Sequence, residues 1–326
     1  MKIPHYSELK QRTDSALAVA REPKKTILAY TGIITGMALL VTILTEMLDS
    51  KISVSGGLSN LGSRSFLATI QSVLPLAQAM ILMCLEIGYI SAVMRFARKQ
   101  YADHRNLKSG FRLFAPMLRL GLLQLLVYSA ILLVVSNLVS SVYVTSSFGK
   151  PLLDAMTPIL ESGVPLEELP LDSLLWPMLP VLAITMALFA LAAIPMIYRY
   201  RMANYYLVDH PWEGAIAALR NSWHMMRGNG FRLFKTDLHF WWYYLLTFLA
   251  SVICYGDQLL PLVGIDLPIS DTAAYFLFYA IYLVIQFFLF YRFRNRLEVT
   301  YATAYDAIRP QKADNSVVLG NIFDMA

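Results

Sequence analysis

Charge is scarce in this chain and cysteine nearly missing. Only 15% of its 326 residues are Asp, Glu, Lys or Arg, against about 25% in an ordinary soluble domain. The few charges collect in short stretches between long apolar runs, the distribution expected of membrane spans of ~20 residues. Spans and loops use up the length, which leaves no room for a separate soluble catalytic domain. The two cysteines, Cys84 and Cys254, both lie in apolar runs. They can supply neither a disulfide framework nor a thiolate metal cluster, and read as small buried hydrophobes.

Catalytic motifs are missing as well. There is no HExxH for zinc and no GxSxG-type nucleophile. The Glu167-Glu168 pair has no histidine nearby, and His5, His104, His210, His224 and His239 are scattered without metal-ligand spacing. Tyr255-Gly256-Asp257 only partly matches an aspartyl intramembrane protease motif, because Cys254 stands where a glycine is needed. Arg227-Gly228-Asn229-Gly230 reads as a helix stop, not a phosphate loop. The expectation is a protein that is not an enzyme and has no cofactor and no metal. Residues 1–26 are polar, and the first apolar run lacks a small-residue cleavage site, so no removable signal peptide is expected.

What is present is long and apolar. Six segments stand out, at residues 27–48, 66–94, 113–143, 174–198, 238–256 and 272–291. The fold class that follows is all-α, a polytopic membrane helix bundle of about six transmembrane helices. Residues 1–26 form an N-terminal segment, 27–298 the membrane domain and 299–326 a C-terminal tail. The third segment is longer than a bilayer needs and has to tilt or project. Pro177, Pro180 and Pro195 predict a kink in the fourth. The flanks set the orientation. Of 27 Lys and Arg, 23 fall in 1–26, 95–112, 199–235 and 292–326, while the alternate loops are acidic, with Glu161, Glu167, Glu168, Asp257 and Asp266. The positive-inside rule then puts both termini in the cytoplasm. The net charge of +5 restates this bias and does not point to nucleic acid.

Two stretches are expected to lie on the membrane surface. Residues 211–227 align Trp212, Ile216, Leu219, Trp223 and Met226 at helical spacing, with Trp212 and Trp223 as interfacial anchors. Residues 6–21 carry a weaker stripe through Leu9, Thr13, Ala16, Leu17 and Ala20. The outer loop 145–173 is expected to hold a short surface helix. The pentapeptide GFRLF occurs at 110–114 and again at 230–234, each time opening a span, which suggests a duplicated hairpin in parallel orientation. Its arginines, Arg112 and Arg232, read first as snorkelling anchors. The sharper reading is a pair of contacts to anionic lipid headgroups at helix N-termini.

Ionisable groups within spans are costly and often functional. Glu86 and Arg119 flank one basic loop, each ~10–14 Å above it by helix rise, and are expected to form an intramembrane ion pair. Asp237 opens the fifth span. Gly32 and Gly36 form a small-xxx-small pair, expected to pack within the bundle.

Taken together, GLSNLGSRSFLATIQSVLP (57–75), YRYRMANYYLVDHP (198–211), ALRNSWHMMRGNGFRLFKTDLHFWWYYLL (218–246) and VTYATAYDAI (299–308) resemble an uncharacterised family of bacterial integral membrane proteins, domain of unknown function 975. The resemblance covers nearly the whole chain and is most specific over 218–246. It implies a multipass protein of the bacterial cytoplasmic membrane and carries no activity, substrate or catalytic residue. A looser similarity, to membrane domains found beside glycerophosphodiester phosphodiesterases, points toward lipids. The functional expectation is a non-enzymatic scaffold or regulator that binds membrane lipids, anionic ones included, or protein partners. A small-solute transporter with a midplane site between the repeated hairpins is the alternative.

Overall fold

An apolar run can cross lipid only if each backbone N–H and C=O finds a partner within its own segment, and a helix meets that condition. In the computed structural model, which describes residues 2–20, 23–54, 61–146, 150, 171–262, 268 and 270–309, the apolar runs are helical and no strand occurs among the described residues. In chain order the helices are α1 (Tyr6–Val19), α2 (Pro23–Val54), α3 (Leu61–Ala97), α4 (Ser109–Arg112), α5 (Phe114–Thr145), α6 (Leu171–Tyr200), α7 (Ala203–Asp209), α8 (Gly214–Met226), α9 (Gly230–Leu238), α10 (Trp241–Cys254), α11 (Gly256–Leu262), α12 (Asp271–Leu289) and α13 (Asn295–Ile308). A 3-10 turn, His104–Lys108, precedes α4, and a π turn, Phe290–Arg294, joins α12 to α13.

Five stretches are long and apolar enough to cross a membrane: Pro23–Lys51, Ser65–Ala97, Phe114–Tyr143, Met178–Asp209 and Thr272–Ile308. The protein is therefore an all-α membrane helix bundle. The remaining expected span, 238–256, is interrupted. The chain turns at His239–Phe240, runs as the 14-residue α10, and breaks again at Tyr255 before α11. At 1.5 Å per residue α10 covers only ~21 Å of a ~30 Å hydrocarbon core. α10 and α11 both lie against α12. A Cβ on Gly256 would come within 2.6 Å of the Phe278 ring. α6 stays helical without interruption through Pro177, Pro180 and Pro195. The expected surface helix of loop 145–173 falls almost wholly outside the described residues.

The chain divides into two compact units, Met1–Leu118 with Met202–Ala326, and Arg119–Arg201. The second holds α6 and most of α5, and leaves Leu125, Leu133, Val142, Leu182 and Leu191 more than half exposed, a surface suited to lipid.

In the first unit the core gathers around the end of α3 and α13 from Leu297 onward. Residues 299–308, expected to begin a tail, are core: Val299, Tyr301, Ala302, Ala304 and Tyr305 are fully buried. Hydropathy underrates this helix because its apolar surface comes from Ala and Tyr in place of Leu and Ile. α1 differs from expectation in the same way. Its stripe through Leu9, Thr13 and Ala16 is buried against α13, with Thr13 and Thr300 hydroxyls 3.3 Å apart.

Two glycine sites have opposite environments. α3 crosses the 104–112 segment so closely that a Cβ on Gly88 would sit 2.1 Å from the Leu107 carbonyl oxygen, and one on Gly110 would sit 1.8 Å from that of Cys84. Gly32 and Gly36, expected to pack within the bundle, instead face open space, with nothing within 4 Å of an added Cβ.

Candidate functional site

α3 ends, α7 passes and α12 turns into α13 within one region of the first unit, and its charged groups gather there. α3 is closed by Lys99, whose φ of 57° is the left-handed conformation that terminates helices. The preceding residue, Arg98, donates from Nη1 to Asp209 Oδ1 at 2.8 Å and from Nη2 to Asp306 Oδ1 at 2.9 Å, with Nε on the same carboxylate at 3.1 Å. Asp209 Oδ2 also accepts from the Tyr305 hydroxyl at 3.1 Å and from Arg309 at 3.4 Å. Burial alone would ease the proton off Arg98, but the two carboxylates outweigh it and hold the guanidinium charged well above its ordinary range. The cluster clamps α3, α7 and α13 together. Both carboxylates are taken up by partners within the cluster: Asp209 by Arg98, Tyr305 and Arg309, and Asp306 by Arg98.

A second cluster surrounds Arg294, the last residue of the π turn. Single π turns inside α-helices are frequently found at functional sites. Arg294 Nη2 donates to Glu86 Oε1 at 2.9 Å, and its Nε lies 3.9 Å from Glu298. The guanidinium stands 4.9 Å from the Phe290 ring centre and 5.6 Å from that of Tyr30, which is itself stacked on Tyr89 at 4.3 Å. Tyr205 closes the cluster by donating to Glu298 at 2.6 Å. Glu86 thus finds its partner in a residue 208 positions away, while Arg119, its expected partner, is an exposed residue of the second unit. The two ends of the pair differ in burial, with the side chain of Glu86 44% exposed and that of Arg294 17%. Arg294→Gln is therefore expected to cost ~1–3 kcal/mol, as it strips a buried group of charged partners, whereas Glu86→Gln should cost less than ~1 kcal/mol. Thermal unfolding in detergent checks the order.

The third feature is open. Beside the π turn, Tyr291, Arg292, Asn295 and Arg296 form one wall of a groove of about 540 Å³, and Asp14, Leu17, Pro23, Lys24 and Ile27 form the other. Lys24 and Arg292 are exposed, and Arg296 is ion-paired with Asp14. Arg294 goes inward, while Arg292 and Arg296, two positions to either side, line the groove. Three cations against one carboxylate, beside Leu17, Ile27 and Tyr291, give an amphipathic cleft where α2 begins and α12 ends.

The other expected residues are dispersed. In the GFRLF copies Phe111 and Phe231 are exposed and Leu113 and Leu233 buried. Arg112 is exposed, but Arg232 is half-buried and donates to the Ile3 carbonyl at 2.7 Å, holding the N-terminus. Trp212 is exposed with its ring edge toward His210, while Trp223 is only partly exposed and has contacts of its own. α8 docks through Ala215, Ala218, Ser222 and Met225, a face beside the expected stripe. The sequence reading missed the exposed apolar residues Phe231, Phe234, Leu238, Trp241 and Trp242. It also missed Arg294, although a basic residue three positions past an uncharged span was available as a signal.

A family model described as protein of unknown function (DUF975) matches residues 21–309. The chain belongs to this family. No curated protein and no solved structure matches it. Membership takes in Arg98, Asp209, Arg294, Asp306 and the basic side of the groove, while α1, with Asp14, lies before the matched range. Among the described residues no group of three or more His, Cys, Asp or Glu could hold a metal ion.

Proposed function

We propose that the protein is a non-enzymatic scaffold or regulator of the bacterial cytoplasmic membrane that binds anionic lipid headgroups of the inner leaflet. The observation that supports this reading is the groove: Lys24, Arg292 and Arg296 converge beside Leu17, Ile27 and Tyr291. The charge bias of the loops puts that end of the first and last spans on the cytoplasmic side. There a lipid could lay its phosphate on the basic residues and its acyl chains along α2 and α12. Arg offers a planar fork that matches phosphate oxygens. The arginines of the two GFRLF copies, read as a duplicated hairpin, are a competing location, and Arg232 there already serves Ile3.

Native mass spectrometry of protein purified with its lipids separates these locations. A Lys24→Gln, Arg292→Gln double variant is expected to lose most of its bound phosphatidylglycerol and cardiolipin, with an apparent affinity about thirtyfold lower, as loss of two contacts of ~1 kcal/mol each implies. An Arg112→Gln, Arg232→Gln variant is expected to keep its lipid. Equal retention by the first variant and wild type would sink the groove as the binding site.

A further inference from the structure

α1 contributes Asp14 and Leu17 to one wall of the groove, and it is held at both ends. At its N-terminal side the backbone of Ile3 is gripped twice: its N–H donates to Asn229 Oδ1 at 3.0 Å and its carbonyl accepts from Arg232 at 2.7 Å. Ile3 itself is fully buried, and Tyr6 stacks on His239 at 3.8 Å. Toward its C-terminal side the polar tie to the bundle is Asp14 on Arg296, with Thr13 touching Thr300. Both partners of that ion pair line the groove.

Asp14 therefore lies where a headgroup phosphate would reach Arg296. Within the lipid-binding reading on which this rests, we infer that Asp14 is a built-in competitor for Arg296, and that a phosphomonoester lipid displaces it and frees the C-terminal half of α1 from α13.

The charge of the headgroup decides which lipids can do this. A phosphodiester such as phosphatidylglycerol carries one negative charge, the same as Asp14. Asp14 is tethered, so it competes at an effective concentration in the millimolar range or above. A phosphodiester thus settles on Lys24 and Arg292 and leaves the Asp14–Arg296 pair in place. A phosphomonoester such as phosphatidate carries between one and two charges near neutral pH and three acceptor oxygens. It can engage Arg292 and Arg296 together, and its second charge repels the carboxylate beside it. The hook at Ile3 keeps the N-terminal end of α1 docked, so the helix pivots without leaving the bundle. The signal reports a headgroup type, because a monoester and a diester occupy the same groove with different outcomes for α1.

Hydrogen exchange of the full-length protein in nanodiscs tests this. With phosphatidate, amides of residues 12–19 are expected to exchange about tenfold faster than with phosphatidylglycerol, while those of α13 stay protected. Asp14→Asn should raise exchange in 12–19 without phosphatidate and bind phosphatidate about fivefold tighter by native mass spectrometry, the size expected for removing one surface ion-pair competitor. Glycerol 3-phosphate, which has the monoester without acyl chains, is expected to leave α1 unchanged, and an equal effect would overturn the assignment to a lipid. The inference fails if bound phosphatidate leaves residues 12–19 protected, or if Asp14→Asn binds it no tighter. Wild type that retains no anionic lipid overturns the groove reading itself, and the competitor with it.

Discussion

Arg98→Met is expected to lower stability by about 3–5 kcal/mol, the cost of leaving buried carboxylates without their cation. Arg98 serves Asp209 and Asp306 at once, and the side chain of Asp209 is only 4% exposed. Removing the guanidinium leaves Asp209 with Tyr305 and the longer 3.4 Å contact to Arg309. Arg98→Lys keeps the charge but loses the fork, because one ammonium cannot span two carboxylates in fixed geometry, and should fall between wild type and methionine. The effect is read as the shift in thermal unfolding of detergent-solubilised protein. A methionine variant as stable as wild type would show that the cluster does not clamp α3, α7 and α13.

The second large effect comes from adding one methyl group. Gly110→Ala places a Cβ 1.8 Å from the Cys84 carbonyl oxygen, and backbone cannot step aside as a flexible side chain can. α3 and the 104–112 segment must separate, at a cost of ~1–3 kcal/mol or more. Gly36→Ala is the matched control. It adds the same methyl into open space inside a helix, where Ala is favoured over Gly by ~1 kcal/mol. The first variant should unfold well below wild type and the second at or above it. Equal behaviour of the two would mean that the close crossing does not exist.

The groove and the Arg294 cluster show where sequence reasoning stops. The basic residues Lys24, Arg292 and Arg296 were visible as part of the positive-inside count, which treats them as one population. Nothing in the order of the chain says that Arg296 meets Asp14 across 282 positions, or that Arg294 turns inward while Arg292 and Arg296 stay exposed. The π turn decides the latter, and its widened register depends on what surrounds it. Helix rise along one hairpin suggested Arg119 for Glu86, since that argument sees only neighbours in the chain. Gly32 and Gly36 matched a packing motif, but a motif records small size and not whether another helix is there.

By itself the sequence determined that the chain is an all-α membrane protein, because apolar runs that cannot leave their backbone groups unsatisfied in lipid must become helices. It also determined the family, through blocks such as 218–246. Tertiary structure alone decided which amphipathic faces are covered by protein and which stay exposed. Two stripes of similar periodicity, on α1 and on α9, have opposite fates: Leu9, Thr13 and Ala16 are covered by α13, while Phe231, Phe234 and Leu238 stay exposed. Periodicity fixes that a face is apolar. What covers it depends on long-range packing, where Thr300 and the small Ala302 and Ala304 let α13 lie deep in the core.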